Sequence, residues 1–174
     1  FSLDIGTEGN SGIVTINSGN LQLNRGLLVG TINNAMGTSV GVLSLTDSIV
    51  TAGDTDGWHS VGCIGSDLGV SDVTGSMTLV NSTATFGDYL LLGEANSDYP
   101  VTVDASITMD NSTLNLDRSF DNDAFYGSGG TKTVSFTMSN NSVLNANGIK
   151  FGETDVFGSN TGEQNITFSV TDSV

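Results

Sequence analysis

The sequence predicts an all-β chain wound into a single right-handed parallel β-solenoid of about five to six coils, each of about 30 residues and three short strands. Three observations point there. Gly, Asn, Asp, Ser and Thr make up more than half of the chain while Ala, Glu, Gln, Lys and Arg are sparse, which disfavours helix. Hydrophobic residues still make up 37% of it, in short alternating runs, so a core can be buried. Above all, one phrase recurs six times: Thr15-Ile16-Asn17-Ser18-Gly19, Ser44-Leu45-Thr46-Asp47-Ser48, Thr78-Leu79-Val80-Asn81-Ser82, Thr108-Met109-Asp110-Asn111-Ser112, Thr137-Met138-Ser139-Asn140-Asn141 and Ser169-Val170-Thr171-Asp172-Ser173. A hairpin sandwich has no need of such a repeat.

Each element of the coil follows from this phrase. Two residues before each anchor stands another apolar residue, at Val14, Leu43, Met77, Ile107, Phe136 and Phe168, the period of a strand with one buried face. Thr15, Ser44, Thr78, Thr108, Thr137 and Ser169 fall between them and are expected to form an outward hydroxyl column. The turn column reads Ser18, Asp47, Asn81, Asn111, Asn140 and Asp172, residues that tolerate left-handed backbone and can bond the same turn one coil away. A second strand follows at Leu21/Leu23, Val50/Ala52, Ala84/Phe86, Leu114/Leu116 and Leu144/Ala146, with one inserted residue before the last. A third strand closes on Gly at Leu27/Val29, Leu90/Leu92 and Ile149/Phe151, with weaker matches around His59/Val61 and Ala124/Tyr126. Variable loops absorb the spread of intervals from 29 to 34. Right-handedness is expected from the usual chirality of parallel β crossovers.

This pattern of short strand, Asn-Ser or Asp-Ser turn, second strand, then Leu90-Leu91-Leu92-Gly93-Glu94 before a Gly- and Ser-rich loop resembles the repeats of bacterial autotransporter passengers and of PEP-CTERM-type surface proteins. The resemblance covers nearly the whole chain. It implies a secreted surface β-solenoid and carries no catalytic residue.

Charge and composition narrow the function. Four Lys and Arg against 19 Asp and Glu give a formal charge of −15, too few cations for nucleic acid or an anionic lipid surface. One Cys and one His make neither a Cys/His zinc site nor a disulfide framework. No apolar run approaches the ~20 residues of a membrane span. No signal peptide precedes Phe1, so a mature chain or a section of a longer one is expected, folded as one domain over residues 1–174.

Calcium is the one cofactor considered, at the Asp-rich turns holding Asp54 and Asp56, and Asp117 with Asp121 and Asp123; neither stretch has the downstream Glu of an EF-hand, and acidic turns are ordinary surface in so acidic a chain. No catalytic residue is nominated: Arg25, Arg118, Lys132 and Lys150 share no register, and the second strand's outward positions, Gln22, Thr51, Thr85, Asn115 and Asn145, hold no carboxylate. His59 and Cys63 read as packed residues. Sequons place possible N-glycosylation at Asn81, Asn111, Asn140 and Asn165, three of them turn-column positions.

The expected function is an extracellular structural or adhesive module without enzymatic activity. The alternative is a carbohydrate-binding or lyase-like β-helix using Trp58, Tyr89, Tyr99, Phe125 and Tyr126 on surface glycans. A minor one is ice binding by the hydroxyl column, weakened by the mixed neighbouring positions Asn17, Thr46, Val80, Asp110, Ser139 and Thr171. The chain opens in a third strand and closes after a turn, so head-to-tail stacking on copies of itself, or on flanking repeats, is expected.

Overall fold

The computed structural model describes residues 2–53, 59–97, 99–122, 125–126, 129–151 and 163–174. Among these residues the strands pair only in parallel and form two sheets, one of twelve strands and one of five, wound as a β-solenoid. The five-stranded sheet stacks Asn20–Leu23, Ile49–Ala52, Thr83–Phe86, Thr113–Leu116 and Val143–Asn145, so it brackets about four turns. That is fewer than the five to six coils expected. Six phrases bound only five intervals, and the last passes through residues 152–162, outside the described residues.

Register follows the repeat. Val14 stacks on Leu43, then Met77, Ile107, Phe136 and Phe168, while Ile16 stacks on Leu45, Leu79, Met109, Met138 and Val170. In Val101–Asp110 the inward residues Val101, Val103, Ala105, Ile107 and Met109 are all buried, and Thr102, Asp104, Ser106, Thr108 and Asp110 point out. A slip of one residue would exchange the two sets, so the pattern fixes the register. The core adds a column from the second strands, Val50, Ala84 and Leu114, and one from the third, Val29, Val61 and Leu92. Phenylalanines tighten it: Phe120 lies 4.8 Å from Phe136, and Phe136 stacks on Phe168 at 5.2 Å.

The coil departs from three short strands in one respect. In Leu27–Thr46 and His59–Val80 the third strand continues into the next first strand, so the backbone bends within a strand. Gly6, Gly30, Gly62 and Gly93 make the bend, all with positive φ. They face a second column, Gly12, Gly41, Gly75, Ala105 and Val134. A Cβ on Gly41 would stand 2.1 Å from the Gly30 nitrogen, and one on Gly75 2.1 Å from that of Gly62. The coil is pinched there to backbone on backbone, and the change from Gly to Ala to Val along the second column marks its widening.

The third strand of the fourth phrase also lies elsewhere than expected. Phe120 pairs with Leu90 and with Ile149, which makes Ser119–Asn122 the equivalent strand, while Phe125 and Tyr126 pair further on with Ala95 and Asn96. Asp121 and Asn122 are polar and break the apolar alternation, which conceals the strand in the sequence.

Candidate functional site

Hydrogen bonding is densest at the turn after the first strand. Ser18, Asp47, Asn81, Asn111, Asn140 and Asp172 all have φ between 46° and 54°, the left-handed region anticipated for this column. The Asn111 amide donates to Asn81 Oδ1 at 2.9 Å, and the Asn81 amide to Asp47 Oδ1 at 3.2 Å. The ladder then shifts: the inserted residue makes Asn141 left-handed too, and the Asn140 amide donates to Asp110 Oδ1 instead of Asn111.

Beside this column runs another that the sequence displayed only as the Ser of each Asn-Ser pair. The backbone N–H groups of Ser48, Ser82 and Ser112 donate to the hydroxyls of Ser82, Ser112 and Ser142 at 3.0–3.1 Å. Each hydroxyl in turn donates to a carbonyl on its own strand end, those of Thr46, Val80, Asp110 and Ser139. All four serines are buried, so the column satisfies turn amides that water does not reach.

A polar group gathers along the third strands. His59 is fully buried, accepts the Leu27 N–H at Nδ1 (3.2 Å) and stacks on Phe86 at 4.7 Å, while its Nε2 has no hydrogen-bond partner. Burial pushes its pKa down to about 4 despite the carboxylate of Asp88. Asp88 is itself buried, bonded by the Tyr89 N–H and paired with Arg118 Nε at 3.2 Å. Burial, then Asp88 and Glu94, raise the Tyr89 phenol. Asn122 is fully buried, donates to the Leu92 carbonyl at 2.7 Å and leaves Oδ1 without a hydrogen-bond partner; Lys132 is fully buried in the strand Gly130–Ser139. Cys63 is buried, and desolvation followed by the charge of Glu94 pushes its thiol up to about 12, so it carries almost no thiolate near neutral pH. With Thr31, Asn33, Ser60, Leu91 and Glu94 it lines a cleft of about 10 Å³, room for about one water and too small for a small-molecule ligand.

Of the calcium candidates, Asp54, Asp56 and Asp123 lie outside the described residues. Asp121 is in a strand rather than a turn, buried, with Ser119 donating to its Oδ2 at 2.9 Å. Lys150 stands beside it in the neighbouring strand. The structure thus brings Asp121 next to a hydroxyl donor and a cation, and Asn122, its partner in the expected loop, faces the core. At the sequons, the amides of Asn81, Asn111 and Asn140 are engaged in the turn ladder, and that of Asn165 donates to Glu163 in an outermost strand. Among the aromatic residues considered for glycans, Trp58 lies outside the described residues and Tyr99 is 42% exposed.

No family model, no curated protein and no solved structure matches the chain.

Proposed function

We propose that the chain is an extracellular structural or adhesive module, a right-handed parallel β-solenoid that continues end to end, either on further copies of itself or on flanking coils of a surface stalk. One observation carries the reading: the apolar columns stay open at their outermost described strands. Phe168 and Val170, inward residues of the last one, are 43% and 45% exposed, whereas Phe136 and Met138 one strand earlier are buried. Val14 and Ile16 at the other extreme are only half-buried, though Leu43 and Leu45 beside them are covered. Another coil laid on either strand would remove this surface from water and pair the free backbone groups of the sheet edge. The right hand rests on the general chirality of parallel crossovers. An outside location agrees with the charge of −15, which favours solubility, and with a thiol too buried and too weakly acidic to oxidise readily.

Light scattering over rising concentration, with negative-stain microscopy of the same samples, tests this. Growth in mass with rods of constant width is expected. A compact monomer of 17.9 kDa at every concentration would count against self-assembly, and failure of added flanking coils to raise the unfolding temperature would remove the stalk as well.

A further inference from the structure

The outward face of the twelve-stranded sheet carries a second hydroxyl column beside the one legible in the repeat. Ser76, Ser106, Ser135 and Thr167 share a register. They lie two residues before Thr78, Thr108, Thr137 and Ser169. The two columns form a net of eight hydroxyls over four successive strands, and the pairing between these strands runs without a register shift. Spacing within the net is about 4.8 Å from strand to strand and about 6.6 Å along each strand. Thr74 and Thr133 stand in the next outward column, on either side of Asp104, and Thr102 and Thr131 in the one beyond it.

Two features separate this net from the serine column at the turn. The turn serines are buried and their hydroxyls are all consumed by the backbone. None of the eight net hydroxyls bonds to another residue, among the described residues, so each faces outward with its donor and acceptor capacity free. The parallel ladder fixes every Cα, so the hydroxyls repeat in position, and χ1 is stiff at the four threonines of the net, Thr78, Thr108, Thr137 and Thr167.

From this geometry we infer a further activity, independent of the structural role: the face binds a crystalline water lattice. The chemistry of the net selects that occupant. The two columns carry no charge, the nearest carboxylates, Asp104 and Asp110, standing one position outside them, so a mineral surface finds no ionic ligand within the net. Nor do they hold an aromatic ring on which a sugar could stack. What remains is a rigid two-dimensional array of neutral donors and acceptors, which holds water at fixed repeats and therefore complements ice rather than liquid. Each contact is weak, and the array gains by summing many of them.

The test is partition of the full chain into slowly growing ice, together with inhibition of ice recrystallisation. Thr108→Val and Thr137→Val remove net hydroxyls at nearly constant volume, Thr108→Tyr sets a bulky ring within the net, and Thr51→Tyr places the same bulk on the outer face of the other sheet. The chain is expected to enter the ice, with incorporation about tenfold lower or less in the Thr108 and Thr137 variants and unchanged in Thr51→Tyr. The valine variants retain strand propensity and give the answer even if the tyrosine variant does not fold. Exclusion of the chain from ice, equal loss in Thr51→Tyr, or retention on insoluble chitin or cellulose with none on ice would overturn the inference.

Discussion

His59 and Ser112 show how single polar groups are accommodated in so thin a core. His59 is held neutral, with a pKa near 4 against 6.5 in the unfolded chain. The unfolded state therefore takes up a proton first as pH falls, and stability is lost between about pH 6.5 and 4, reaching on the order of 2–3 kcal/mol below that window. His59→Phe, which keeps the stack on Phe86, should flatten this part of the curve of urea midpoint against pH; an unchanged slope between pH 6.5 and 4 would contradict the assignment. Ser112 accepts the buried Ser82 N–H and donates to the Asp110 carbonyl. Ser112→Ala orphans that N–H and should cost about 1–3 kcal/mol in denaturant unfolding. A loss within experimental error would mean that water reaches the turn after all.

Among elements, the pinch between the two glycine columns sets the shape of the coil. Gly75→Ala would drive a methyl into the Gly62 backbone, where no flexible side chain can move aside, so a loss of about 3 kcal/mol or more is expected. Ala105→Gly, one strand later in the same column, should cost only about 1 kcal/mol. Thermal unfolding of the two variants side by side checks the contrast, and similar losses would refute the pinch. The first and second strands were legible from the sequence because period-2 alternation and a left-handed turn residue coincide in every copy. Ser119–Asn122 was not, since Asp121 and Asn122 break the alternation while the backbone ladder still pairs. Of the facing glycines, Gly30, Gly62 and Gly93 were legible as the close of the third strand, whereas Gly12, Gly41 and Gly75 opposite were not, because nothing along the chain marks a contact across the coil. Of the site residues, the turn ladder could be read as a column of Asn and Asp, but the serine column beside it could not, because burial decides whether a Ser hydroxyl is structural. The second hydroxyl column escaped for a simpler reason: its residues precede the recurring phrase and lie outside it.

For the whole molecule, charge and stacking work against each other. A charge of −15 on this many coils is self-repulsive, and the Debye length falls from about 30 Å at 0.01 M to about 8 Å at 0.15 M salt. The unfolding temperature should therefore rise over that interval; a fall would show that ion pairs such as Asp88 with Arg118 outweigh the repulsion. Stacking is the central claim, and fibre diffraction from aligned assemblies of the chain tests it most directly. Coils stacked along the rod place the strand spacing on its axis, so a reflection at about 4.8 Å parallel to the long axis is expected. The same reflection at right angles to that axis, or a chain that forms no rods to align, would contradict it.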